Sequence, residues 1–100
     1  MNNVVMFFNY KLRKGVSVSD FLKASENLNN GYMSKQKGFI SWKQLANEDG
    51  WADLITFETM EDVKKILDSE CSNELNEKFY SFINLNSCKT QIFNMEKSYE

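Results

Sequence analysis

The first strand-like run is apolar on both sides. Val4, Met6, Phe8, Tyr10 and Leu12 fall on one side of an extended backbone, and Val5, Phe7, Asn9 and Lys11 on the other. A strand with one wet face would alternate cleanly between apolar and polar residues. This pattern predicts a strand over Val4 to Leu12 that is covered on both faces. Arg13-Lys14-Gly15 then turns the chain. Ser17 reads as a helix N-cap, with Asp20 in the first turn. Val18, Phe21, Leu22, Ser25, Leu28 and Tyr32 or Met33 recur at helical spacing, so a helix is predicted from Val18 to about Gln36. Asn29-Asn30-Gly31 predicts a kink or fray within it.

The centre of the chain reads as a hairpin. Phe39, Ile40, Trp42 and Leu45 favour one strand, and Leu54, Ile55, Thr56 and Phe57 favour a second. Asn47-Glu48-Asp49-Gly50 lies between them, and Asp-Gly is a strong short-range reversal signal. Thr59 caps the next helix, whose first turn holds Glu61 and Asp62 and whose stripe is Met60, Val63, Ile66 and Leu67. Ser69 to Asn73 interrupts that stripe. Asn73 recaps a further helical piece carrying Leu75, Phe79, Phe82 and Ile83, which ends at Asn84 or Asn86. Leu85 to Met95 is the predicted last strand, and a polar tail follows.

The order βαββαβ predicts one α+β domain over residues 1–100. Right-handed crossovers give a ferredoxin-like, four-stranded antiparallel sheet of order 4-1-3-2 with its helices on one face. The other face is then bare, and apolar residues from the first strand and the hairpin (Phe39, Ile40, Trp42, Ile55 and Phe57) are expected to divide between the two faces. Soluble monomers rarely expose such a patch, so a homodimer is expected.

Composition narrows the function. The chain is 42% hydrophobic and 14% aromatic, with a net charge of −2. That charge argues against nucleic-acid and membrane partners. The chain has no histidine, which removes the usual general base and a common metal ligand. No leader and no span is expected, so the expected setting is cytoplasmic, with Cys71 and Cys88 as free thiols.

Several residues in this frame carry a resemblance: Lys37-Gly38-Phe39-Ile40, Asp49-Gly50-Trp51, Ala52 to Phe57, and Glu58-Thr59-Met60-Glu61-Asp62. The chain resembles the dimeric α+β-barrel superfamily, and within it the antibiotic-biosynthesis-monooxygenase-like domains. The resemblance implies two sheets packed across a two-fold axis and a small-molecule cavity between sheet and helices. Its relatives include quinone-forming monooxygenases that need no cofactor, and haem-degrading enzymes. The haem-degrading pattern brings forward Asn9 on the first strand. It would also want Trp and His near Ile66 and Asn76, so haem degradation is not expected here.

Asp53 is out of place in a strand between Ala52 and Leu54. It is a candidate catalytic base with a raised pKa, or else a solvated residue near the hairpin mouth. Asn9 is the second catalytic candidate. Phe8, Tyr10, Trp42, Trp51 and Phe57 are candidates for an aromatic binding wall, against the alternative of core and interface. Asn76 and Tyr80 are candidate polar handles, against ordinary surface. Cys88 lacks any motif for a nucleophile. The expected function is a homodimeric small-molecule-binding domain, with cofactor-independent oxidation of a small aromatic compound as its activity. The alternative is a non-catalytic dimerisation or ligand-sensing module. A cavity holding Asp53 or Asn9 against aromatic walls favours the first, and a filled interior the second.

Overall fold

A computed structural model describes residues 3–68 and 73–100. Strand β1 (Val4–Leu12) leads to helix α1 (Val18–Gly31), and a short 3-10 turn (Met33–Lys35) follows. The hairpin is β2 (Phe39–Asn47) and β3 (Gly50–Phe57). Helices α2 (Met60–Asp68) and α3 (Glu74–Tyr80) precede β4 (Ile83–Asn94). The sheet order is β2-β3-β1-β4, all antiparallel, which is the order 4-1-3-2 read from the other edge. The predicted ferredoxin-like architecture is therefore present, with a third helical element.

Local chemistry sets most boundaries. Ser17 accepts from the Asp20 backbone N–H at 3.2 Å and starts α1. The helix ends at Gly31, within the predicted weak segment, and the chain tightens into the 3-10 turn instead of running on to Gln36. In the hairpin, Asn47 Oδ1 accepts from the N–H groups of Asp49 (2.8 Å) and Gly50 (3.1 Å). The loop is thus Glu48-Asp49, and Gly50 already belongs to β3. A side chain at Gly50 would meet the Tyr10 carbonyl oxygen at 2.8 Å, so glycine lets the hairpin close against β1. Thr59 caps α2 as predicted, and Asn73 caps α3 through the Leu75 N–H at 2.8 Å. The remainder of the predicted Ser69 to Asn73 break, including Cys71, lies outside the described residues.

One boundary moves. Phe82 and Ile83 were expected on a helix and the last strand at Leu85. Instead α3 ends at Tyr80, and Ile83 pairs with Leu12 across the sheet. The Arg13 N–H donates to the Phe82 carbonyl at 2.9 Å, and Ile83 is fully buried. Partners some 70 residues away outweigh the helical spacing. Between Asn84 and Lys89 the strand bulges away from β1, and Ser87 Oγ accepts the Lys11 N–H at 2.8 Å.

The two sheet faces differ. Val4, Met6, Phe8 and Tyr10 are buried beneath the helices, together with Ile55 and Phe57. Registers place Phe39 and Trp42 on that same side, so the hairpin's large residues are not divided between faces as expected. Ile40 falls at a β2 irregularity. The opposite face carries Val5, Phe7, Ala52, Leu54, Leu45 and Phe93, the last two about half exposed at 50% and 51%. This face has no helix over it among the described residues.

Candidate functional site

Between sheet and helices lies a cavity of about 640 Å³. Its floor is β1, β2 and β3, through Met6, Phe8, Trp42, Asp53 and Ile55. Leu28 and Met33 form one side. Ile66, Leu67, Asn76, Phe79 and Tyr80 form the roof, and Leu85 and Thr90 the β4 side. Leu67, Tyr80 and Leu85 are each at least about one-third exposed and mark the mouth. The walls are aromatic: Phe79 stands edge-on to Trp42 at 5.5 Å between centroids, and Tyr80 edge-on to Phe8 at 6.1 Å.

Asp53 is fully buried at the floor. Phe8 faces it from β1 and Gln44 from β2. The Tyr10 hydroxyl donates to Asp53 Oδ1 at 2.9 Å. Asp53 Oδ2 has no hydrogen-bond partner, and neither has the buried Trp42 Nε1. Burial in this apolar setting pushes the Asp53 carboxyl up from 3.8 to about 6. The Tyr10 hydroxyl pulls it the other way, and so does the Trp42 N–H beside the same carboxyl. Burial, and then the Asp53 charge, hold the Tyr10 phenol well above its ordinary range, so Tyr10 remains a donor. Behind it Gln44 Nε2 donates to Ser25 Oγ at 3.0 Å, and Ser25 Oγ donates to the Phe21 carbonyl at 2.9 Å. This row of polar groups ties α1 to the floor and supports the Tyr10–Asp53 pair.

The arrangement can accept a proton. Near pH 7 most of the carboxyl is ionised, so a buried carboxylate stands at the cavity floor as the proton acceptor. Among the described residues, no three His, Cys, Asp or Glu side chains gather as a metal site.

Of the residues singled out in the sequence, Phe8, Trp42, Asp53, Asn76 and Tyr80 line this cavity. Tyr10 reaches it through its bond to Asp53. Trp51 packs behind, stacked on Tyr10 at 6.4 Å and edge-on to Phe21 at 5.1 Å. Phe57 is fully buried against Phe39, at 6.0 Å between centroids, and is not among the residues lining this cavity. Asn9 does not join Asp53. It sits between Phe8 and Tyr10 and so points to the other sheet face, where it lines a separate groove of about 370 Å³ with Phe7 and Leu45. The two catalytic candidates are on opposite sides of the sheet. Cys88 has its thiol pushed up by burial, away from the reactive thiolate. Met6 and Ile55 were not singled out, although alternation places them on the same face as Phe8 and Asp53. Met33 reads in the sequence only as the end of the first helix's apolar stripe, and Leu85 only as the start of the last strand; the 3-10 turn and β4 bring them to the cavity.

No protein-family model matches this sequence, and no curated protein does. Solved structures do match. SnoaB from Streptomyces nogalater, a cofactor-independent oxygenase, superposes with a TM-score of 0.76 at 9% identity, over 98% of this chain and 97% of its own. A Nitrosomonas europaea protein provisionally named an antibiotic biosynthesis monooxygenase gives 0.72 at 11%, over 94% and 90%. A dimeric protein of unknown function and ferredoxin-like fold from Bacteroides fragilis gives 0.63 at 15%, over 93% and 96%. At these identities the likeness is one of fold, and fold does not fix chemistry. This chain has the α+β ferredoxin-like fold of the antibiotic-biosynthesis-monooxygenase-like proteins.

Proposed function

We propose that this chain is a homodimeric enzyme that oxidises a small aromatic compound without a cofactor, with Asp53 as its base. The observation that carries the reading is a fully buried carboxylate, pushed up to about 6, on the floor of an aromatic-walled cavity. The fold shared with SnoaB supports it. A ring system with an activated CH₂ group, such as an anthrone, suits both the chemistry and the volume. Asp53 takes one proton from the substrate. The resulting anion passes one electron to dioxygen, the radical pair combines at that carbon, and the peroxide anion takes the proton back from Asp53 to give a hydroperoxide. Loss of water leaves a carbonyl, so that R₂CH₂ + O₂ gives R₂C=O + H₂O. Phe8, Trp42 and Phe79 hold the ring flat and keep water away from the anion.

Dioxygen uptake with anthrone tests this. Asp53→Asn should bind the compound and lose about 10²- to 10⁴-fold in rate. Binding of anthrone without uptake by the unaltered protein would instead support the ligand-sensing module.

The bare sheet face supports the dimer. A two-fold axis lets Val5, Phe7, Leu54 and Phe93 cover their own copies, at an interface on the order of 1,600 Å² in total. The Bacteroides fragilis protein of the same fold is dimeric. Light scattering should give twice 11.7 kDa, and Phe7→Glu should reduce it to the single-chain value. A wild-type mass of 11.7 kDa would overturn the dimer.

A further inference from the structure

A directed row of hydrogen bonds runs from helix α1 to the cavity floor. The Ser25 hydroxyl donates to the Phe21 carbonyl, one turn back, at 2.9 Å. Its single proton is then used, so toward its other neighbour Ser25 Oγ can only accept. That neighbour is Gln44 on β2, whose Nε2 donates to it at 3.0 Å. The two ends of an amide have similar shape, and the partner decides which one is presented. Ser25 therefore holds the Gln44 amide with its NH₂ end inward.

The second N–H of that amide faces the acid. Gln44 stands directly across from Asp53 between β2 and β3, and the Tyr10 hydroxyl donates to Asp53 Oδ1 at 2.9 Å. The Gln44 amide also meets the Tyr10 hydroxyl and favours its ionised form, which marks a donor to the phenol oxygen. With that oxygen accepting from Gln44, the phenol proton is left for Asp53. A hydroxyl that accepts a hydrogen bond is also the stronger donor. Ser25, Tyr10 and Asp53 are all buried, where such bonds count for more than in water.

We propose that Gln44, locked by Ser25, is the positioning residue that aims the Tyr10 hydroxyl at Asp53 and so sets how readily that carboxyl ionises. Neither Gln44 nor Ser25 is among the residues lining the cavity, so both act through Tyr10. The part this plays in catalysis rests on the reading of Asp53 as the base. The groups facing the row come from four elements. β1 brings Tyr10, β2 brings Gln44 and Trp42, α1 brings Ser25, and α3 brings the Tyr80 phenol toward Tyr10. Among the described residues, neutral donors and no cation oppose burial at this carboxyl.

Carbon NMR of protein labelled at the aspartate carboxyl carbons reads the Asp53 titration directly, and Asp53→Asn identifies its signal. The parent should titrate at about 6. Ser25→Ala alters neither Tyr10 nor Asp53, and alanine suits a helix interior, so the variant should fold. It frees the Gln44 amide to turn its carbonyl toward Tyr10, where it competes with Asp53 for the phenol proton. Asp53 should then titrate higher, by on the order of 0.5 pH units. Gln44→Leu removes the donor itself and should also raise the carboxyl. The double variant should titrate with Gln44→Leu, because Ser25 acts only through Gln44. A Ser25→Ala protein that titrates with the parent would overturn the proposal, even if its stability falls, since the row would then be a strut and nothing more. Gln44→Leu at the parent's value, or a double variant shifted by the sum of the two, would overturn it as well. Absence of anthrone oxidation by the unaltered protein would sink the reaction and leave the positioning role standing. Oxidation with an Asp53 titration indifferent to Ser25 and Gln44 would sink the positioning role alone.

Discussion

The chain buries two aspartates, and it treats them in opposite ways. Asp62 closes the start of α2. Its backbone N–H donates to Thr59 Oγ1 at 3.1 Å, and its Oδ2 accepts the Thr59 hydroxyl at 2.9 Å. The helix N-terminus favours its charge. Asp53 has no helix end: the Tyr10 hydroxyl meets one oxygen at 2.9 Å, the Trp42 N–H is its other nearby donor, and burial still raises the carboxyl. One site uses a carboxylate to complete a local structure. The other holds a carboxylate where the fold alone would not place it. Charges kept at a cost in stability mark sites of function more often than sites of packing.

The largest test of that contrast is removal of the Asp53 charge. Moving this carboxyl from 3.8 to about 6 costs the folded state roughly 3 kcal/mol once both states are ionised. Asp53→Asn should therefore melt higher than the parent at pH 8, by about 1–2 kcal/mol after the new amide has found partners. The pH dependence has a definite sign. Between pH 3.8 and about 6 the folded chain still holds a proton that the unfolded chain has released, so stability falls as pH rises through that window. The advantage of Asp53→Asn should grow across it and level off above. Melting curves of both proteins from pH 4 to 8 measure this. A variant less stable than the parent at pH 8 would mean Asp53 serves the fold, as Asp62 does.

Gly38 sharpens the other half of the comparison. It has φ of 81°, and a Cβ built there would fall on the Asp62 carboxylate. Its carbonyl also accepts the Glu58 N–H at 2.8 Å. Gly38→Ala should combine left-handed backbone strain with a displaced helix cap, for a loss of about 2 kcal/mol. Denaturant titration measures it. Dioxygen uptake by the folded fraction should stay close to that of the parent, because Asp62 has no part in the cavity floor.

The sequence showed these two aspartates unequally, for physical reasons. The Thr59–Asp62 cap is local, three residues apart, and its spacing is visible in the chain. Asp53 was visible as an anomaly, a charge inside an apolar strand. Its partner was not, because Tyr10 lies 43 residues away and meets it through a strand pairing. The same contrast runs through the fold. The hairpin, the first strand and the helix caps rest on neighbours in sequence and were legible. The start of β4 was not: Phe82 and Ile83 have helical spacing, and only their pairing with Arg13 and Leu12 makes them extended. Asn9 was grouped with Asp53 by analogy, although alternation along β1 already turned it away from the face of Phe8 and Tyr10.

The smallest expected effect separates the two halves of the Asp53 environment. Burial raises this carboxyl, and the Tyr10 hydrogen bond lowers it. Tyr10→Phe keeps the ring and its packing against Phe8, Phe21 and Trp51, and removes only the donor. Asp53 should then be harder to ionise. The acid limb of the pH–rate profile, expected near pH 6 for the parent, should move to higher pH. The plateau rate at high pH should change little, because an ionised Asp53 remains the base in both proteins. Stability should fall by about 1 kcal/mol for the lost bond. An acid limb that does not move, or that moves to lower pH, would show that Tyr10 holds the carboxyl in position without tuning its charge. Burial would then be the sole source of its reactivity.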